Sequence, residues 1–249
     1  MKNISIFWTG GYDSTFRVVQ LSRCEITIQP IYLSDNRKSE KNELMAIEEI
    51  TSMLKKHPQT KANFLPLKIV DINQRVNDQE YQEAYSRIRE NDFIGSQYVW
   101  LGAFAQNNKG VEMSIHKDDK AMNVILKYGK LKLVQDEIIG DYYIVDKDCC
   151  PNDIVKLWGN LHVPLAYITK IEMKNYYKKE GYQQIADKTW FCYSPINNKP
   201  CGQCNPCKYT IEEGLKERFT TRALMRYYYR KYISNLGIIR FTRTLLKRK

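Results

Sequence analysis

Ile4-Ser5-Ile6-Phe7-Trp8-Thr9-Gly10-Gly11-Tyr12-Asp13-Ser14-Thr15 is the stretch whose reading decides the fold. Its first half, Ile4–Trp8, is a short apolar run of the kind that forms a buried strand. Its second half puts two glycines, a carboxylate and the aliphatic hydroxyls of Thr9, Ser14 and Thr15 at the start of an amphipathic segment, residues 14–22, with Phe16, Val19 and Leu21 on one side. A strand that turns through glycines into a helix offers free backbone N–H groups to an anion, and the glycines let that anion come close. Gly10, Gly11 and Ser14 then line a phosphate cradle, Thr9 and Thr15 add hydroxyls, and Asp13 is placed to hold Mg²⁺ or a nucleotide hydroxyl. The stretch has no Lys of the Walker type and no G-x-G-x-x-G. Taken alone it reads equally well as a tight turn with an Asp/Ser helix cap.

Working outward, apolar runs at Ile26–Leu33, Leu65–Val70 and Val111–Ile115 alternate with helical periodicity at Lys41–Lys56, Gln79–Arg89 and Tyr98–Gln106. Strands alternating with helices predict βαβ units and a doubly wound, mostly parallel α/β sheet. Between 120 and 150 the pattern is undecided: Leu131–Val134 and Ile138–Val145 are two strands or one irregular excursion. Beyond it, Asn152 is expected to cap a helix through Leu161, and helices are expected over Lys170–Lys179 and 208–217. The organisation expected is a nucleotide-binding domain over 1–170, a helical metal-binding segment over 171–217 and a basic helical tail over 218–249.

The second signal is Cys192-x8-Cys201-x2-Cys204-x2-Cys207. Four thiolates close a tetrahedral Zn²⁺ shell with no open position, which makes a zinc there structural. An iron–sulfur cluster and free thiols are the competing readings. The remaining cysteines, Cys24, Cys149 and Cys150, read as ordinary thiols, and with three histidines in the chain a His-rich metal site is improbable.

These residues resemble a known family. The loop is similar to the Ser-Gly-Gly-x-Asp-Ser signature of the PP-loop ATP pyrophosphatases, with Thr9 where Ser is usual. Together with Trp190-Phe191-Cys192-Tyr193 and Cys201, Cys204 and Cys207, it resembles the 7-cyano-7-deazaguanine synthases of the QueC type. Val163-Pro164-Leu165 and Thr169-Lys170-Ile171-Glu172-Met173 look like that family's approach to the zinc site. The resemblance runs over residues 1–217, dense at both ends and thin in the middle. It implies an ATP-dependent, adenylate-forming synthase or ligase of queuosine biosynthesis, using ATP, Mg²⁺ and Zn²⁺ and activating a deazapurine carboxylate for attack by ammonia or an amine. Asp13, Ser14 and Lys170 become the expected catalytic residues. Thr9, Gly10, Gly11, Asp13, Ser14 and Arg37 become the nucleotide contacts, and Cys192, Cys201, Cys204 and Cys207 the zinc ligands. The substrate end departs from the family at Leu33–Lys38, at Ser96-Gln97 and around Lys117–Asn123. Two alternatives therefore stand: a QueC-like protein of an antiviral system joining a deazaguanine to a protein amine, and an inactive nucleotide-binding scaffold working through its tail.

Charge marks the C-terminus. Lys and Arg outnumber Asp and Glu by 39 to 28, a net charge of +11. Ten of those cations fall between Arg218 and Lys249, with no acid among them. Arg218, Arg222, Arg226 and Arg230 are spaced by four, one stripe along a continuous helix, interleaved with Tyr227, Tyr228, Tyr229 and Tyr232. Such a stripe fits nucleic-acid phosphates, an acidic protein or a second copy of the chain in a homodimer, or a membrane surface; a merely solubilising tail is the plain alternative. No apolar run approaches the roughly 20 residues that span a bilayer, and Met1–Trp8 is too short for a secretory signal, so a cytoplasmic protein is expected. His116, just past the fourth strand, is a candidate for substrate contact; His57 and His162 read as packing residues.

Overall fold

A computed structural model describes residues 1–72 and 78–233. By its internal contacts the chain divides into two units: residues 1–35 with 43–189, and residues 36–42 with 190–249. The boundaries expected at 170 and 217 do not coincide with this division. The helices just past 170 group with the first unit because their aromatic faces close on its first helix. Among the described residues no helix is long and apolar enough to cross a membrane.

The first unit is α/β, built on a mostly parallel sheet. Its strands are β1 (Lys2–Phe7), β2 (Ile26–Ser34), β3 (Asn63–Phe64), β4 (Lys68–Asp71), β5 (Val111–Glu112) and β8 (Leu161–His162). Their order is β3-β2-β1-β5-β8, with β4 continuing the β3 edge against β2, and every pairing in this sheet is parallel. The run expected at Leu65–Val70 breaks around Pro66, and β4 starts only at Lys68. Pro30 of β2 faces the same edge as Ile28, whose carbonyl accepts from Leu65; with no N–H to give, Pro30 lies where β3 and β4 part.

Helices cover both faces, as a doubly wound sheet requires. Phe7 packs edge-on against Phe104 of α4 (Gln97–Asn107), at 5.5 Å. Trp8, next in sequence and so on the opposite face, donates to Thr15 Oγ1 of α1 (Tyr12–Ser22), at 3.0 Å. The α1 layer also contains α7 (Lys170–Lys179) and α8 (Gln183–Lys188). The opposite group contains α3 (Gln79–Arg89), α4 and α6 (Asn152–Trp158), around a core with Leu101, Leu157 and Trp158. Helix α2 (Glu40–Lys56) follows β2.

The undecided stretch resolves into α5 (Lys120–Tyr128), capped by Asp119 through Ala121 N–H at 2.8 Å, and an antiparallel hairpin, β6 (Leu131–Val134) with β7 (Tyr142–Val145). Two expectations are corrected here. Pro151, not Asn152, takes the cap position of α6, and that helix ends at Trp158 because Leu161 is needed in β8.

The second unit carries the cysteines. Asn197 and Asn198 both take positive φ, 50° and 56°, at the tip of a tight turn closed by Ile196 and Lys199, the conformation that two-residue hairpins favour. Helix α9 (Asn205–Glu212) begins three residues before the expected 208, because Cys204 caps it with Pro206 in its first turn, and it ends before 217. Lys216–Arg218 forms a 3₁₀ turn, Phe219 is extended and buried, and Thr220 caps α10 (Thr221–Tyr228), which runs into a π-helical turn at Tyr229–Ile233. The single arginine stripe is therefore corrected: Arg218 lies before the break, only Arg222 and Arg226 share α10, and Arg230 sits in the π turn. The remaining tail features, Ile238, Ile239, Arg240, Phe241, Arg243, Leu245, Leu246 and Lys247–Lys249, lie outside the described residues.

Candidate functional site

In an open parallel sheet, ligands bind beyond the carboxyl ends of the strands where the strand order reverses. Here that point lies between β1 and β5. The chain leaves β1 for β2 on one side and returns to β5 on the other. The loop Thr9–Gly11 follows β1 and His116 follows β5, so both stand at this opening.

Gly10 takes φ +68°, and a Cβ there would lie 3.0 Å from Glu43 O and 3.1 Å from Ala46 Cβ. No larger residue fits that bend without strain. Gly11 takes the cap position of α1 without a side-chain cap bond, leaving the first-turn N–H groups to whatever binds there. The loop is held from beneath: Trp8 N–H donates to Ile31 O at 2.9 Å, Thr15 N–H to Gly11 O at 3.0 Å, and Ser14 Oγ to Gly11 O at 3.4 Å.

Asp13 stands on the first turn of α1. Its side chain keeps 30 % exposure, but Oδ1 is buried with no hydrogen-bond partner among the described residues. Burial raises its carboxyl pKa above the ordinary 3.8, against the opposing pull of His116 and Lys170. His116 Nε2 approaches Asp13 Oδ2 at 3.8 Å, while Nδ1 accepts from Asp118 N–H at 3.1 Å. With Nδ1 an acceptor, the ring proton of the neutral imidazole sits on Nε2, toward Asp13. Lys170 opens α7 behind a capping box, in which Thr169 Oγ1 accepts from Glu172 N–H and Glu172 accepts from Thr169 N–H. Ser114 Oγ, buried two residues before His116, is likewise without a partner among the described residues. A buried carboxylate oxygen with nothing to bind is the arrangement a divalent cation satisfies, so the residues present fit Mg²⁺ at Asp13.

The structure thus brings Gly10, Gly11, Asp13, Ser14, His116 and the field of Lys170 together. Arg37 falls in the 36–42 segment of the second unit. Two features went unread in the sequence. The first is the buried pair Arg17–Glu112: Arg17 Nε and Nη2 donate to the two Glu112 oxygens at 2.7 Å each, and Nη1 donates to Ile139 O at 3.1 Å. A charge inside a buried strand, next to Val111 and Met113, and another inside an apolar helix face were the available signal. The second is Tyr177, whose hydroxyl donates to Tyr12 O at 3.2 Å and whose pKa burial drives well above 10. It fixes the loop's exit, with Tyr12 and Phe16 against it at 5.1 and 5.5 Å. His57 and His162 stack on Tyr182 and Tyr142.

In the second unit the sulfurs of Cys192, Cys201, Cys204 and Cys207 all lie within 4.8 Å of one another. Three of the spacings are 3.3 Å (204–207), 3.8 Å (201–207) and 3.9 Å (192–204). Zinc–sulfur bonds of 2.3 Å in a tetrahedron place sulfurs about 3.8 Å apart, so the donor set fits zinc. Backbone N–H groups point at the sulfurs: Cys201 to Cys192 at 3.2 Å, Gln203 and Cys204 to Cys201 at 3.2 and 3.3 Å.

Residues 156–218 match the family described as queuosine biosynthesis protein QueC. The QueC match covers about a quarter of the chain, from within α6 through the four cysteines to Arg218. Residues 1–155, with the glycine loop and His116, lie outside it. No curated protein matches the chain.

Proposed function

We propose that the chain is an ATP-dependent, adenylate-forming enzyme that activates a deazapurine carboxylate for attack by ammonia or an amine. The observation that carries this reading is Asp13: a buried carboxylate oxygen without a partner, on the first turn of the helix that follows a glycine bend, at the reversal point of a parallel sheet. The QueC match further along the chain supports the same family of chemistry.

In this reaction a substrate carboxylate oxygen attacks the α-phosphorus of ATP. The bond to the β-phosphate bridge breaks, and pyrophosphate leaves with an acyl-adenylate formed. Ammonia or an amine adds to the acyl carbon and AMP departs, giving an amide; a second activation of the amide carries it to the nitrile. The leaving pyrophosphate needs its charge offset. Gly10 and Gly11 let it approach the free N–H groups of α1, and Ser14 Oγ donates to it once released from Gly11 O. Asp13 holds Mg²⁺, which supplies further charge neutralisation when bound. Lys170, whose charge acts on Asp13, and His116 Nε2–H, 3.8 Å from it, would steady the transferring phosphate, and Arg37 remains a proposed nucleotide contact. Cys192, Cys201, Cys204 and Cys207 hold a zinc that is structural, since four thiolates leave it no open position.

The test is pyrophosphate release and AMP formation from Mg·ATP with 7-carboxy-7-deazaguanine and ammonia, followed by mass spectrometry for amide or nitrile. Asp13→Asn should stop the release. Release that survives the substitution would remove the loop from the chemistry, and folded, zinc-loaded protein that releases no pyrophosphate would favour the nucleotide-binding scaffold instead.

A further inference from the structure

Spacing by four suggests a partner surface for the C-terminal arginines; the structure instead turns three of the four onto the cysteine cluster. Arg226 Nε donates to Cys201 O at 2.8 Å. Arg230 donates to Gln203 O. Arg218 lies 4.7 Å over the ring of Phe191, the neighbour of Cys192. Helix α10 is pressed against the knuckle so closely that a Cβ on Gly202, at φ +75°, would sit 2.0 Å from Ala223 O. Buried Ala223, Phe219 and Tyr227 share one apolar cluster with Cys192, Cys201 and Cys207.

The peptide units that the arginines choose are informative. The Cys201–Gly202 peptide accepts from Arg226 at its carbonyl, and its N–H, on Gly202, acts on the Cys207 thiol. The Gln203–Cys204 peptide accepts from Arg230, and its N–H, on Cys204, donates to the Cys201 sulfur at 3.3 Å. In both cases a guanidinium polarises an amide whose other end acts on a cysteine sulfur, through a hydrogen bond at Cys204. Hydrogen bonds linked in this way strengthen one another. A zinc bound by four thiolates carries a net charge of two minus, which cations at this distance offset.

We propose that Arg226 and Arg230 are positioning residues of the metal knuckle, acting through the Cys201–Gly202 and Gln203–Cys204 amides on the thiolates, and that α10 is a wall of the metal site. The proposal rests on the zinc reading of the four cysteines. Residues outside the ligand set that orient ligands are typically worth 10- to 100-fold in metal affinity.

The experiment uses the full chain with Zn²⁺ and with Co²⁺ as a spectroscopic stand-in. Arg226→Gln and Arg230→Gln should each release zinc to a chromogenic chelator about tenfold faster than the parent. They should also move the sulfur-to-cobalt charge-transfer band to lower energy, because thiolates with weaker N–H donors give up electrons more easily. Arg226→Lys should recover part of both effects, and Arg222→Gln, on the exposed side of α10, should change neither. On zinc removal, amides of 221–229 should lose hydrogen-exchange protection while those of β1 keep theirs. A zinc-loaded parent whose Gln variants show unchanged release and an unmoved band would overturn the role of the arginines. A parent that binds neither metal would overturn the zinc reading itself, and the arginine role with it.

Discussion

Glu112→Gln is the sharpest test of how the first unit is held around its loop. Glu112 and Arg17 are almost sealed from water, with side-chain exposures of 1 % and 4 %. Arg17 spends two donors on the carboxylate at 2.7 Å each and a third on Ile139 O. Gln keeps the shape but not the charge, and it turns an amide NH₂ toward one guanidinium nitrogen. The guanidinium cannot shed its proton, so it stays charged in the interior with one of its two carboxylate acceptors gone. Breaking such a pair from one side costs about 3–5 kcal/mol, a large share of the roughly 5–15 kcal/mol that keeps a domain folded. At about 2–4 °C per kcal/mol for a unit of this size, the midpoint should fall by about 10 °C. Urea and thermal unfolding followed by tryptophan fluorescence measure it, since Trp8 and Trp158 are fully buried in this unit. Arg17→Met with Glu112→Leu, which removes both charges and keeps the volume, should regain most of the loss. A single variant that costs less than about 1 kcal/mol, or a double variant that fares no better than the single, would refute the argument.

Asp13→Asn should abolish pyrophosphate release and yet stabilise the protein at pH 7. Burial raises the Asp13 pKa in the folded state, so folding favours the protonated form, and the parent loses stability as pH rises from 3.8 through the raised value. The gain in the Asn variant should shrink toward zero as pH is lowered through that range, and an Asn variant less stable than the parent at pH 7 would contradict it. Cys204→Ser should abolish stoichiometric zinc by metal analysis. Gly202→Ala should unfold the second unit, seen as lost zinc and increased proteolysis after residue 190, because nothing at Ala223 O can yield to a Cβ at 2.0 Å. Deleting 218–249 should also strip zinc, because it removes the helix packed on Gly202 and the Arg226 bond to Cys201 O; a truncated chain that keeps its metal would contradict this.

Local rules made much of this protein legible in its sequence. Ile4–Trp8 and Ile26–Leu33 are mostly apolar runs followed by helical periodicity, a pattern that suits strands buried on both faces between helices, so the α/β class was readable before any contact was known. The loop after β1 and the four cysteines were legible because their chemistry depends on residue type at short spacing. Tertiary structure decided what depends on distant partners. Nothing local says that Glu112 answers Arg17, that His116 comes to Asp13 across the reversal between β1 and β5, or that Leu161 leaves a helix to enter β8. The arginines show the difference most clearly. Spacing by four describes a stripe only if the helix is continuous, and buried Phe219 and the cap at Thr220 interrupt it. Charge and periodicity placed cations near the C-terminus; packing against Gly202 determined that three of the four arginines turn inward to the cysteine knuckle.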